Sequence, residues 1–344
     1  MSFFAVLFAL ILEQARPLAR GNWIHAGLRR WARWSRRSID AGRSHLGWMA
    51  WTVAVVAPSA LTLVIDLLLW QVNPLLAFLW SVAILYATLG FRQFSHHFTN
   101  IRDALDDGDE DGARELLAGW RQVDSSELPR SEIVRHVIEY SVLAAHRHVF
   151  GVLGWFSLFA ALGFGPAGAV FYRMAEFVSR YWVYQSKRPG EGASPALQRA
   201  AARAWGVIDY VPARITSLGF AVVGSFEDAI DAWRTYIQQS RLGNVGNIVQ
   251  HNDGVILAAT SGAVNVQLGG MALKPRHAGP IRDDRPTGSA GLDGGGIDES
   301  TSTAPLPGRQ PEVAHLRSIV GLVWRSVVLW MVLLALLTLA RLLG

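Results

Sequence analysis

Two groups of side chains along this 344-residue chain have the types that chemistry usually recruits. The first is acidic: Asp103, Asp106, Asp107, Asp109, Glu110 and Asp111 crowd the run DALDDGDEDGARELL. An EF-hand would need oxygen ligands at alternate positions, a glycine at the sixth and a glutamate at the twelfth. The spacing departs from that pattern, so the run reads as the solvated tip of a helix-turn-helix. The second group is His96, His97, His136, His146 and His148. None falls in an HExxH pattern, and zinc needs three or four preorganised ligands. His146-Arg147-His148 stands before an apolar run, where a basic flank accounts for it. No metal site is expected. The chain has no cysteine, which excludes disulfides, thiolate metal centres and cysteine nucleophiles.

The elements that must position any polar site are apolar. The chain is 51% hydrophobic and 17% charged, and carries 14 tryptophans, a residue suited to membrane interfaces. Residues 318–344 contain only Arg325 and Arg341 as charges and are long enough to cross a bilayer. A terminal anchor is therefore expected over 314–344. Residues 46–70 and 75–90 read as two further spans joined as a hairpin. Asp66 lies four residues from the end of its span and reads as an interfacial acid; deep burial would make it a functional candidate. Residues 149–172 are apolar but broken by GFGPAG at 163–168, giving a re-entrant hairpin or a kinked span. The basic character of 173–214 favours re-entry. Met1 to Leu12 is too short to span comfortably and does not look like a removable signal peptide.

Between 14 and 45 eight arginines face one acid, Asp40, with Trp23, Trp31 and Trp34 interleaved. Flanked by apolar segments, this suits an amphipathic helix on anionic headgroups rather than nucleic acid. The positive-inside rule places it in the cytoplasm. Residues 91–148 read as polar helices, and 195–242 as two helices around DYVPAR. Residues 271–313 read as a disordered linker, rich in Gly, Pro, Asp, Ser and Thr. The expected class is an all-α, polytopic integral membrane protein of a bacterial inner membrane, with cytoplasmic amphipathic helices.

Six patterns follow one another in order: ALDDGDEDGARELL at 104–117, DSSEL at 124–128, SEIVRHVIE at 131–139, GFGPAGAVFYR at 163–173, DYVPAR at 209–214 and NDGVILAATSGAVNVQLGG at 252–270. The succession resembles the CobD/CbiB family of membrane proteins and its AmpE relative, over roughly residues 1–270. The resemblance implies an adenosylcobinamide-phosphate synthase, which amidates adenosylcobyric acid with an aminopropanol phosphate. ATP and magnesium would serve that reaction, and a corrinoid or nucleotide would be the ligand beside the lipid bilayer.

Much of the family's polar set is replaced. Its RDT falls at Val123-Asp124-Ser125, its EN at Leu143-Ala144, its DG at Arg147-His148 and its NTLDS at 176–180; its DD falls at Trp205-Gly206. Asp124, Glu139, Tyr172, Arg173, Pro212, Arg214, Asn252 and the terminal glycines survive. The ligand-binding candidates are thus Asp124, Glu139, Arg173, Arg214, Asn252 and Asp253, with Glu139 and Arg214 equally readable as a buried ion pair. The losses, the opening LILEQARPL and the Ile208–Pro212 pattern resemble the AmpE branch, which implies a membrane modulator linked to beta-lactamase induction. The 252–270 segment resembles the synthases, and a divergent synthase is the alternative.

Overall fold

A computed structural model describes residues 2–16, 23–121, 123–186, 192–242, 248–270, 273 and 305–343. The described helices are α1 (Ser2–Ala15), α2 (Trp23–Ile39), α3 (Ser44–Val72), α4 (Pro74–Thr88), α5 (Phe91–Asp106), α6 (Glu110–Arg121) and α7 (Arg130–Ala145). A π-helical turn, His146–Phe150, carries α7 into α8 (Gly151–Ala161). Then come α9 (Ala167–Ser186), α10 (Pro195–Val223), α11 (Phe226–Leu242), α12 (Ile248–Val264) and α13 (Val313–Leu343). Among the described residues there is no β-sheet, only an isolated bridge. The all-α class is as expected.

Among the described residues three helices are long and apolar enough to cross a membrane: Ser44–Val72, Arg130–Ala161 and Val313–Ala340. A fourth candidate is the pair Pro195–Ile208 and Tyr210–Val223, bent by 42°. Pro74–Thr88 forms a shorter apolar helix of 15 residues, about 22 Å long against a hydrocarbon core of roughly 30 Å. The stretch before 149, read as polar helices, includes α7, whose Arg135 and Glu139 are buried and paired with each other.

The chain forms two compact units. The first comprises residues 1–92, 146–212 and 327–344. Its helix boundaries follow from local chemistry. Asn73 accepts the Leu75 N–H on its Oδ1 at 2.8 Å, and Pro74 opens α4, so the α3–α4 turn is capped on both counts. Ser194 accepts the Leu197 N–H at 3.1 Å ahead of Pro195, and Asp40 accepts from the Ser194 N–H and hydroxyl at 2.9 and 2.6 Å. That carboxylate sits at the positive end of α10.

At GFGPAG the chain reverses. Gly163 and Gly165 take φ of +84° and +53°, and Phe159 stacks on Phe171 across the two arms with centroids 5.9 Å apart. A Cβ on Gly168 would lie 2.2 Å from the Trp155 carbonyl, so the arms cross closely. The break is a helical hairpin, not a kinked span.

Two prolines lie inside helices, Pro58 in α3 and Pro212 in α10. Each lacks the N–H that would bond the carbonyl four residues back, Ala54 and Ile208 respectively. An indole replaces it both times: Trp31 Nε1 donates to Ala54 O at 3.2 Å, and Trp155 Nε1 to Ile208 O at 3.1 Å. DYVPAR is therefore passed by one bent helix, not by two. Trp155→Phe should cost about 1–2 kcal/mol by orphaning that carbonyl. In a Pro212→Ala background, where the alanine N–H restores the helical bond, it should cost nearly nothing. A double-mutant cycle of thermal unfolding checks this; equal costs in both backgrounds would refute it.

The second unit comprises residues 93–145 and 213–326. Its acidic run is a helix-turn-helix tip, as expected: residues 107–109 form the turn, and Asp109 accepts the Gly112 N–H at 2.8 Å to start α6. After α12, Asn265 adopts φ +51° and ends the helix, and residues 266–270 follow outside any helix. Most of the expected linker, 274–304, lies outside the described residues. Its end does not read as a linker. Gln267 N donates to Arg309 O at 2.7 Å, Leu306 N to Leu268 O at 2.8 Å, and Leu306 is buried. Backbone pairing, invisible to composition, orders this piece.

Candidate functional site

The densest polar cluster of the second unit stands on one face of α7. Glu132, Arg135, His136 and Glu139 are three, four and seven residues from the first, so they line up along the helix. Arg135 donates through Nη1 to Glu139 Oε1 at 2.9 Å and through Nε to Glu132 Oε2 at 3.0 Å. The Gly269 N–H reaches the same Glu139 oxygen at 2.7 Å. Gly269 and Gly270, with φ of +78° and +119°, bend the post-α12 segment so that this amide can point at α7. Arg135 and Glu139 are 5% and 8% exposed, which puts the pair in a setting where truncating one partner is costly. Arg135 Nη2 lies 2.9 Å from His136 Nε2. A guanidinium can only donate, so Nε2 accepts and Nδ1 carries the proton, facing Glu139 Oε2 at 3.5 Å.

The second cluster joins the start of the post-bend half of α10 to α12. The Arg214 guanidinium donates to Oδ1 of Asn252, which is fully buried. Tyr236 stacks on His251 at 5.7 Å, and its ring fills the space that Gly254 leaves open. Burial, and then the charge of Asp253, push the Tyr236 hydroxyl up to about 12. Burial and then Arg214 hold His251 below the ordinary imidazole value. Both groups are therefore neutral at physiological pH.

Of the six sequence candidates, Glu139, Arg214, Asn252 and Asp253 belong to these clusters. Glu139 pairs with Arg135 and Arg214 with Asn252, so the expected Glu139–Arg214 ion pair is not formed. Asp124 is exposed and accepts from Ser126 N and Oγ at 3.2 and 2.8 Å, the work of a turn. Arg173 belongs to the first unit, where it donates to Glu176 Oε2 at 2.8 Å; Arg180 lies 3.2 Å from the other oxygen.

Sequence reasoning missed Arg135 and weighed His136 only as a metal ligand, although the Arg135–Glu139 spacing of four residues was visible. It also missed a fully buried triad in the first unit. Tyr172 OH donates to Asp209 Oδ1 at 2.7 Å, and His146 Nε2 lies 2.9 Å from the same oxygen. His146 opens the π-helical turn, a feature that often marks functional positions. Gly151 makes room: a Cβ there would lie 2.1 Å from the Tyr172 hydroxyl. Tyr172→Phe should lower stability by about 1–2 kcal/mol while leaving the protein folded, as read by thermal unfolding in detergent. An unchanged midpoint would show that the hydroxyl contributes nothing.

The sequence matches the CobD/Cbib protein family over residues 3–288, most of its length and all of both second-unit clusters. The chain belongs to the CobD/CbiB family. Among curated relatives it is 29% identical over 294 residues to "Cobalamin biosynthesis protein CobD" of Stutzerimonas stutzeri, covering 85% of this chain and 82% of that one. The protein of the same name from Chromobacterium violaceum is 32% identical over 215 residues, 62% of each chain. The match to it thus spans less than two thirds of that relative. That from Leptospira interrogans is 31% identical over 221 residues, 62% of this chain and 66% of its own. No solved structure matches. The expected AmpE-type modulator finds no support in these CobD relatives.

Magnesium, which CobD/CbiB synthase chemistry would use with ATP, takes carboxylate, phosphate and water oxygens in an octahedral shell. Among the described residues no three His, Asp or Glu side chains converge on a metal-sized space. The Glu139 carboxylate is already engaged by Arg135 and the Gly269 amide. These residues do not fit a magnesium ion held by the protein's own carboxylates.

Proposed function

We propose that this chain is a multi-pass inner-membrane protein of cobalamin biosynthesis, a divergent adenosylcobinamide-phosphate synthase, with its Arg-rich 14–45 segment on the cytoplasmic side. The observation that carries the reading is the second unit's polar floor. There the residues shared with the family, Glu139, Arg214, Asn252 and Asp253, are buried or half-buried and built into α7, α10 and α12. The relatives' names supply the pathway. Amidation needs a carboxylate activated as an acyl phosphate and an amine brought to it, with phosphate leaving. Positioning and charge do most of that work. Arg214 offers a permanently charged planar fork beside Asn252, a group suited to orienting a carboxylate or phosphate.

The test is complementation. Expressed in a strain lacking its own CobD, the chain should restore growth that depends on cobalamin made from adenosylcobyric acid. Purified protein should convert adenosylcobyric acid, aminopropanol phosphate and ATP to adenosylcobinamide phosphate. Membrane-inserted protein at normal abundance that does neither refutes the synthase reading and leaves a non-catalytic modulator.

A further inference from the structure

The first unit contains a cavity of about 420 Å³, lined from α1, the end of α3, α4, α8 and the 163–165 turn. None of the clusters above touches it. Trp70, Phe78 and Phe156 give it aromatic walls, and its polar side chains are Ser2, Asp66 and Ser81. Asp66, near the end of its expected span, is buried within the unit at 9% exposed. One carboxylate oxygen, Oδ2, packs on the turn so closely that a Cβ on Gly165 would lie 2.3 Å from it. Ser81 hydrogen-bonds the carboxyl group, yet Oδ1 has no partner among the described residues.

A carboxylate enclosed by apolar and aromatic groups is costly unless an opposite charge or a donor meets it. None of the described lining residues is basic, so those residues supply no counter-charge. Aromatic faces around a carboxylate attract an organic ammonium, through charge and through the ring quadrupole. At the cavity Leu67 and Trp70 are 47% and 54% exposed, an apolar surface able to hold a hydrocarbon tail. We propose that the Asp66 cavity binds the ammonium group of an amphipathic amine, its tail lying over Leu67 and Trp70. An aminophospholipid headgroup and a free alkylamine share that chemistry. The proposal does not depend on the synthase reading.

Full-length protein in neutral detergent is titrated with dihexanoyl phosphatidylethanolamine, its N-acetylated form and hexylamine, reading the thermal midpoint. A saturable upward shift with the phospholipid, absent with the N-acetylated form, is expected, with affinity weakened at least about tenfold in Asp66→Asn. A shift with the phospholipid alone identifies a lipid as the source. A shift with hexylamine alone identifies a free amine, and both together the shared ammonium. If Asp66→Asn does not fold, the contrast between the two phospholipids on the unmodified protein decides. No saturable shift with either amine, an equal shift with the N-acetylated form, or unchanged affinity in folded Asp66→Asn overturns the proposal.

Discussion

Gly262→Ala is expected to lower the stability of the second unit by about 3 kcal/mol, at the upper end of the range for overpacking. Gly254, Ala258 and Gly262 recur every fourth residue of α12 and form a small-residue stripe of the kind that lets helices approach closely. Against this stripe lies α11. A Cβ on Gly262 would stand 2.2 Å from the Asp228 carbonyl oxygen and 2.6 Å from the Ala229 Cα. These are backbone atoms, and the start of α11 has little freedom to retreat. Ser225 N donates to Ala263 O at 3.1 Å, and Ser225 Oγ to Asp228 Oδ2 at 2.6 Å.

Gly254→Ala meets a different obstacle. Its Cβ would stand 2.0 Å from the Tyr236 hydroxyl, the far end of a side chain. Shortening that side chain with Tyr236→Leu should recover most of the stability lost in Gly254→Ala. No side-chain truncation should rescue Gly262→Ala. Thermal unfolding followed by tryptophan fluorescence measures both, and a Gly262→Ala midpoint within about 1 °C of the parent would sink the argument.

What could be read from the sequence was what local chemistry dictates. The apolar runs of α3 and α13, the turn chemistry of GFGPAG and the capped acidic tip all declare themselves within a dozen residues or so. What could not be read depends on distant partners. The candidate span running through α7 was hidden because Arg135, His136 and Glu139 count as polar in any window, whereas the fold satisfies them against one another and against Gly269, 130 residues away from Glu139. Pro58 and Pro212 look like helix breakers until an indole from another helix takes over the lost bond.

The motif order identified the family correctly but carried no information about proximity. Arg173 and Arg214 sit in consecutive motifs and belong to different units. Asp66 shows the same limit from the other side. Its distance from the end of the span suggested an interfacial acid and carried nothing about its burial, which the packing of residues 163–165 against it decides.

Glu139 separates bracing from chemistry. Glu139→Ala removes the acceptor of the Gly269 amide and one of two carboxylates on Arg135, in a region almost closed to solvent. Breaking a buried pair by deleting one partner costs about 3–5 kcal/mol; Arg135 keeps Glu132, so about 2–3 kcal/mol is expected here. The post-α12 segment would lose its anchor to α7, and cobalamin-dependent growth should fail. Glu139→Gln keeps an oxygen that can accept from both Gly269 and Arg135 in nearly the same volume. If Glu139 acts by holding α7 to the segment that follows Asn252 and Asp253, the glutamine variant should stay within about 1 kcal/mol of the parent and still support growth. Unfolding midpoints and complementation, taken on the same membranes, give both readouts. A glutamine variant that folds normally but no longer complements would overturn the bracing role and assign the negative charge of Glu139 to the reaction itself.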